Sequence, residues 1–442
     1  MKVLKFGGTS VGSPERMHRV AELITQSVES KIVVLSAVSG TTNTLVQIGQ
    51  ALKDGQVTEA RQIISELEEK YVTFIQDLLI SDEAQNEGRA IISSHFEVLN
   101  ATTQEPFSAE VEKEILAQGE LLSTKLFTAY LESQGISAVL LSALEFMRID
   151  SSQEPDEDFI REKLTQILSQ HSNAKLFITQ GYICMNSHNR IDNLQRGGSD
   201  YTASLVGAAV KAEEIQIWTD IDGMHNNDPR IVQRTFRVDN LSFNEAAELA
   251  YFGAKILHPF TVRPAQRANI PVRLLNTMQP EAPGTLISDR QEDRAITAIA
   301  AKDGITAIKI KSSRMLLAYG FLRRVFEVFE KYQTPIDLIT TSEVGVSLTI
   351  DNKQYLTQIQ EELASFGEVE VDTGHTIVCV VGNMPFQKVG VLKKIVDAID
   401  DIPVRMLSYG GSKFNISLLI DSQYKNETLN RLNDRIFTFP SK

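Results

Sequence analysis

Lys5-Phe6-Gly7-Gly8-Thr9-Ser10, set directly after the apolar start Met1-Lys2-Val3-Leu4, decides how the first half of this chain folds. A lysine at the end of a short strand, followed at once by two glycines and two hydroxyls, places a fixed cation beside backbone bare enough to touch phosphate oxygens. Such a loop suits phosphoryl transfer. It is neither of the commoner phosphate loops, because GxxxxGK[ST] puts its lysine after the glycines and the dinucleotide fingerprint needs GxGxxG.

Working outward, Ser13-Pro14 reads as an N-cap with proline at the first helical position, and Met17, Val20, Ala21, Ile24 and Val28 fall on one helical face. Ile32-Val33-Val34-Leu35 is a continuous apolar run of the kind a buried parallel strand requires. It ends in Ser36-Ala37-Val38-Ser39-Gly40-Thr41-Thr42-Asn43, a second small, hydroxyl-rich loop. Ligands of open α/β sheets sit at the carboxyl ends of strands, so the two loops are expected to face one crevice. From the loops alone, two ordinary surface turns are the alternative.

A chain of 442 residues exceeds one typical domain, and a prior of roughly 150 residues per domain gives two or three. With 42% hydrophobic and 23% charged residues the composition is that of a globular protein. The net charge of -13 argues against a nucleic-acid partner, so an anionic substrate must be met by local cations. Cys184 and Cys379 lie far apart in sequence, which argues against a disulfide framework and against metal binding through them. With the first strand starting at residue 3, no signal peptide is expected, and no apolar run approaches bilayer-spanning length. A cytoplasmic protein with no membrane partner is the expectation.

Residues 1 to 290 alternate strands with helices and read as one catalytic domain of α/β class, an open, mainly parallel sheet with helices on both faces. The stretch from Leu45 to Leu131 is largely helical by its spacing, and buried strands return at 138–141, 175–179, 215–218 and 272–275. Pro280-Glu281-Ala282-Pro283-Gly284 and the charge run 288–294 mark the boundary. Residues 295–442 then carry an internal repeat: Gly320 to Asp351 aligns with Gly390 to Asp421, each copy giving glycine, amphipathic helix, strand, turn and strand. With preceding strands at 305–311 and 376–382 and following helices at 355–366 and 424–436, these are two ferredoxin-like βαββαβ modules. The first spans about 305–371 and the second about 376–442, completed by a strand from 295–302.

Taken together, KFGGTS, the loop from Ser36 to Asn43, Arg196-Gly197-Gly198-Ser199-Asp200 and FGAKILHP from Phe252 to Pro259 resemble the aspartate kinases of the amino-acid kinase fold, and the C-terminal modules resemble a pair of ACT domains. MLLAYGFL (Met315 to Leu322) and IDLITTSE (Ile336 to Glu343) look most like the lysine-inhibited monofunctional form, and an end at Lys442 leaves no room for a homoserine dehydrogenase half. The resemblance implies ATP and Mg²⁺ as cofactors, with transfer of a phosphoryl group to the side chain of L-aspartate at the head of lysine, threonine and methionine biosynthesis. A kinase of the same fold with another acceptor, such as glutamate, N-acetylglutamate or a nucleoside monophosphate, is one alternative. A catalytically silent lysine sensor is another.

An aspartate side chain, with a reference pKa of about 3.9, is already ionised at neutral pH, so no general base is needed. Catalysis then rests on alignment and charge neutralisation. Lys5, supported by the N–H groups of Gly7 and Gly8, is the expected source of that charge. Arg196 suits a bidentate clamp for a substrate carboxylate. By resemblance Glu120 faces the substrate ammonium, Thr42 with Ser39 and Gly40 contacts the aspartate, and Asp200 organises Lys5, although a helix-start aspartate is by default an N-cap. The nucleotide is expected to meet Lys5, Gly8, Ser10, Thr219, Asp220, Arg230 and Lys255, with His225 where relatives often carry tyrosine. No carboxylate cluster is dedicated to a metal, which fits Mg²⁺ carried by phosphate oxygens and water.

For the effector, Met315, Gly320, Phe321 and Leu322 are expected to face Ile336 and Asp337, with Ser342 and Glu343 at the next turn. A free amino acid there would set its carboxylate on helix-start N–H groups and leave its ammonium to Asp337 or Glu343, which favours L-lysine over threonine. A βαββαβ module also leaves an edge strand and an open sheet face, so a homodimer or dimer of dimers is expected.

Overall fold

The structure, a computed structural model, describes residues 1–194, 197–253, 260–312 and 319–438. The described residues divide into two compact units. The first holds Met1–Met224, Asp239–Phe243 and 260–290, and the second holds His225–Val238, 244–253 and 291–438.

In chain order the first part runs β1 (Lys2–Phe6), α1 (Pro14–Thr25), β2 (Lys31–Leu35), α2 (Thr41–Lys53), α3 (Val57–Leu78), α4 (Asp82–Thr102) and α5 (Ala109–Ser133). It continues with β3 (Val139–Leu141), α6 (Ala143–Phe146), α7 (Glu157–Gln170), β4 (Leu176–Gln180), the hairpin β5 (Ile183–Met185) and β6 (Ile191–Asn193), and α8 (Gly198–Val210). Then follow β7 (Ile215–Thr219), β8 (Asn240–Ser242), α9 (Phe243–Tyr251), α10 (Arg263–Arg267), β9 (Val272–Asn276) and β10 (Thr285–Ser288).

Eight of these strands form one sheet in the order β3-β4-β2-β1-β7-β9-β10-β8, parallel throughout except where β10 meets β9. Central strands covered on both faces must be apolar along their whole length, and every residue of β2 and β4 is buried. Helix α1 begins as expected, with Ser13 capping the Arg16 amide and Pro14 at the first position. It ends at Thr25, however, so Val28 lies beyond it, 83% exposed, and is no part of the apolar face. Met17, Val20 and Ile24 pack with Val33 and Leu35 of the sheet.

Register decides where ligands can sit. Phe6 pairs with Leu35 and Trp218, and Leu35 pairs with Gln180, so β4, β2, β1 and β7 end level with one another. The loops that follow them, at 7–12, 36–40, 181–182 and 220–223, therefore open on one edge of the sheet.

The second unit contains a six-stranded sheet, β12-β13-β11-β14-β16-β15. Its elements are β11 (Ala298–Lys311), α11 (Phe321–Lys331), β12 (Ile339–Thr341), β13 (Gly345–Ile350), α12 (Leu356–Leu363), β14 (Glu368–Val381), α13 (Val391–Ala398), β15 (Val404–Ser408), β16 (Asn415–Asp421) and α14 (Lys425–Ile436). Both βαββαβ modules are present. The strands expected at 295–302 and 305–311 are a single strand, and β14 likewise serves both modules. Gly304 at φ +78 and Gly374 at φ +83 sit where the β11–β14 register shifts, so the ribbon kinks without stopping. The repeat is visible in its capping too: Gly320 and Gly390 both precede their helices with positive φ.

Each module has its own core. Phe321, Val325, Val328 and Phe329 of α11 pack on Ile308, Ile310, Val346 and Leu348. Val391 and Ile395 of α13 pack on Val378, Val380, Ile416 and Leu418.

Candidate active site

Lys5 ends its side chain in an ion pair with Asp200, Nζ to Oδ1 at 2.7 Å, with both side chains largely withdrawn from solvent. Asp200 is not an N-cap. The cap of α8 is Gly197 in the left-handed region, and Asp200 lies in the first turn with its amide on the Gly197 carbonyl at 2.9 Å. Its carboxylate is thus left for Lys5.

The glycines of the first loop have separate tasks. A Cβ at Gly7 would lie 3.3 Å from Lys5 Nζ, at Gly8 3.1 Å from the Ala37 carbonyl, and at Gly12 2.9 Å from Ser39 Cβ. The loops after β1 and β2 are therefore packed backbone to backbone. The Gly7 N–H donates to the Trp218 carbonyl over 3.4 Å. Ser10, only 2% exposed, hydrogen-bonds Thr277 Oγ1 at 2.7 Å and so ties the loop to the end of β9.

Glu120 comes from α5, which packs against the loop after β2. Gly119 lets the helix approach, since a Cβ there would meet Ala37 Cβ at 2.9 Å and Thr41 Cγ2 at 3.5 Å. Glu120 is 4% exposed, its Oε1 accepts from the Ala37 amide at 3.3 Å, and Oε2 has no hydrogen-bond partner among the described residues. Burial pushes its carboxyl up to about 7. A buried carboxylate with one open oxygen is a receptor for a cation. Beside it, Ser39, Gly40 and Thr42 sit at the start of α2, with Gly40 at φ +86, while the neighbouring Thr41 hydroxyl is bound to Tyr71 at 2.8 Å.

Thr219 and Asp220 close β7, their side chains joined at 3.0 Å, on the same sheet edge as Lys5. His225 and Arg230 belong to the second unit, where His225 Nδ1 meets Thr235 Oγ1 at 3.1 Å and Arg230 forks onto Asp228 at 2.7 and 2.9 Å. Arg196, Lys255 and Met315 lie outside the described residues.

Two features of the first unit escape sequence reasoning. Tyr182 holds φ +67 two residues after β4, and a Cβ on Gly198 would touch its ring at 3.0 Å. A non-glycine residue in that region marks strain held by its surroundings. Ser36 Oγ meets Ser199 Oγ at 2.8 Å, close enough that a Cβ on Gly181 would strike Ser199 at 2.3 Å. Gly181-Tyr182 at the end of an apolar strand was the available signal.

In the second unit Phe321 is a core residue, 3% exposed, behind the Gly320 cap, and Leu322 and Ile336 are partly buried against the same core. Ser342 closes the β12–β13 turn on Gly345 at 2.8 Å, and Glu343 is exposed. Asp337, with its side chain 1% exposed, already holds a cation: Lys302 Nζ lies 2.7 Å from Oδ1, and the Tyr251 hydroxyl donates to the same oxygen at 2.9 Å. Asp337 Oδ2 has no partner among the described residues.

Among the described residues no group of three or more His, Cys, Asp or Glu side chains could hold a metal ion, and no helix is long and apolar enough to cross a membrane. The donors at the sheet edge instead fit a nucleotide, with one ammonium at Lys5 and close-packed glycine backbone beside it.

The amino acid kinase family model matches residues 1–276, and an ACT domain model matches 378–436. Lysine-sensitive aspartokinase 3 of Escherichia coli (strain K12) is 34% identical over 447 residues, covering 98% of this chain and 99% of that protein. Aspartokinase 1, chloroplastic, of Arabidopsis thaliana is 34% identical, covering 95% of this chain and 77% of that protein. The crystal structure of E. coli aspartokinase III in complex with aspartate and ADP (R-state) superposes with a TM-score of 0.85 at 33% identity, covering 99% of this chain and 100% of that one. The same enzyme with lysine and aspartate (T-state) gives 0.83 over the same shares.

Proposed function

This chain belongs to the aspartokinases of the amino acid kinase family, so we propose that it transfers the γ-phosphoryl group of ATP to the side-chain carboxylate of L-aspartate, giving 4-phospho-L-aspartate and ADP. The observation that carries the assignment is Glu120, a buried carboxylate with one oxygen open beside the hydroxyl-rich loop that faces the Lys5 loop. It calls for an ammonium-bearing acceptor, which an amino acid supplies and a nucleoside monophosphate does not.

The chemistry follows from the residues. The acceptor carboxylate is ionised at neutral pH and attacks without a base. Two anions must be brought in line, and Lys5 offsets the charge that gathers on the transferring group. Asp200 keeps the Lys5 ammonium aimed into the edge of the sheet and is not a proton acceptor. Glu120 holds the substrate ammonium, Thr42 with Ser39 and Gly40 lines the aspartate, and Arg196 is the clamp for a substrate carboxylate. Gly8, Ser10, Thr219, Asp220, His225, Arg230 and Lys255 frame the nucleotide. Mg²⁺, carried by phosphate oxygens and water, supplies further charge neutralisation when bound.

Regulation belongs to the ACT modules. L-lysine is the effector, bound between the start of α11 and Asp337, and inhibits by favouring a conformation that holds aspartate or ATP less well. The chain works as a homodimer or dimer of dimers in the cytoplasm, with no nucleic-acid or membrane partner. The test is ADP release from ATP with L-aspartate, L-glutamate and N-acetylglutamate offered separately, then with lysine added. Release with aspartate alone, falling as lysine rises, is the expected result. Release with another acceptor in preference, or none with any, refutes the reading.

A further inference from the structure

We propose that Lys113, through its ion pair with Asp192, is a positioning residue for the amino-acid side of the active site. Asp192 is the centre of the β5–β6 hairpin: it pairs with Cys184 across the two strands and is 6% exposed. Donors converge on its carboxylate. Lys113 Nζ lies 2.6 Å from Oδ2, Asn186 Nδ2 donates to Oδ2 at 3.1 Å, and the Asn193 amide donates to Oδ1 at 2.8 Å. The two amides organise the hairpin within itself. Among the described residues only Lys113 reaches it from another element, and a carboxylate this buried requires a cation.

What the pair joins gives it a functional meaning. Lys113 stands on α5 two turns before Glu120, so the two side chains share a helical face. The hairpin begins next to Tyr182, whose ring lies against Gly198 at the start of α8. One ion pair therefore sets the spacing between the helix that carries Glu120 and the hairpin that follows Tyr182. Lys113 itself lies about 10 Å along the helix from Glu120, too far to touch the acceptor. The loops assigned to the nucleotide, at 7–12 and 220–223, follow β1 and β7, whereas the hairpin follows β4 further along the sheet.

The proposal rests on the aspartate reading above, and the experiment separates the two. Steady-state kinetics of Lys113→Met should show KM for aspartate raised about tenfold, the scale of a misplacement below an ångström. KM for ATP and kcat should stay within about threefold of the parent. Lys113→Arg should recover most of the aspartate affinity, because a guanidinium can serve the same carboxylate. Should Lys113→Met fail to fold, Asp192→Asn, which keeps shape and removes the charge, is expected to show the same split. Aspartate affinity is also read by calorimetry without ATP, so a parent chain that releases no ADP would refute phosphoryl transfer and still report on Lys113. An unchanged aspartate affinity, an equal rise in KM for both substrates, or no recovery with arginine overturns the proposal. A parent that binds no aspartate overturns both readings.

Discussion

Lys5 Nζ stands 2.7 Å from Asp200 Oδ1, so the cation at the end of the first strand is held by an acid from the first turn of α8. Because Gly197 and not Asp200 caps α8, the carboxylate is available for this contact. The pair fixes a long, flexible side chain at the edge of the sheet, which is the preorganisation that the proposed phosphoryl-transfer role of Lys5 requires.

Replacing Lys5 by alanine should lower kcat about a thousandfold while the fold is kept, the scale of a lost electrostatic contact to a transition state. Asp200→Asn leaves the cation in place with a weaker tether, so its kcat should fall between the two. Turnover with saturating aspartate and ATP checks both. A Lys5→Ala protein retaining a tenth of the parent kcat contradicts the role.

Burial raises the Glu120 carboxyl from 4.5 to about 7 in the ligand-free chain. Aspartate brings an ammonium that pairs with the ionised form, so KM for aspartate should fall as pH rises through about 7. Stability runs the other way. Between 4.5 and about 7 the folded chain keeps a proton on Glu120 that the unfolded chain has lost, so stability falls as pH rises across that window. Glu120→Gln should raise KM for aspartate, make it independent of pH, and flatten that part of the stability profile. A variant whose KM still tracks pH as the parent's does would place the titrating group elsewhere.

Gly119 lies inside α5, where alanine would ordinarily stabilise a helix. Here the added Cβ would sit 2.9 Å from Ala37 Cβ. Crowding of this kind costs about 1–3 kcal/mol, so Gly119→Ala should lower Tm and raise KM for aspartate together. Thermal unfolding and kinetics on the same preparation test it, and a more stable variant with parent-like KM would show that α5 can draw back freely.

How much of this was legible beforehand differs between elements. The central sheet was, because β2 and β4 are buried on both faces and read as unbroken apolar runs. The loop pair was also readable, since glycines and hydroxyls cluster where strands end. Val28 misled because helical spacing carries no information about where a helix stops. The continuity of β11 was hidden by Gly304, which reads as a break and acts as a kink. Glu120 stood out only through the family resemblance, and neither its burial nor the Ala37 amide that donates to it can be read from its own helix, since Ala37 is a neighbour only in the fold. The partners of Asp337 are equally distant in sequence, so its ion pair could not be anticipated.

That ion pair shapes the regulatory prediction. Burial pushes the Asp337 carboxyl above its ordinary range, with Lys302 and Tyr251 pulling against it. In the proposed pocket, a free lysine would have to use the open Oδ2 or displace the Lys302 ammonium. Lys302→Met should therefore bring half-inhibition at a lower lysine concentration, and Asp337→Ala should require at least about tenfold more lysine than the parent. Inhibition curves for the three proteins decide it. An unaltered curve for Asp337→Ala removes the pocket from Asp337.

The most direct test of phosphoryl transfer to the aspartate side chain is to trap the product. With ATP, L-aspartate and hydroxylamine present, an acyl phosphate is converted to a hydroxamate as inorganic phosphate leaves. The account predicts aspartate 4-hydroxamate and ADP in equal amounts, both lost in Lys5→Ala. ADP appearing without the hydroxamate, or a hydroxamate formed at the α-carboxylate, would contradict it.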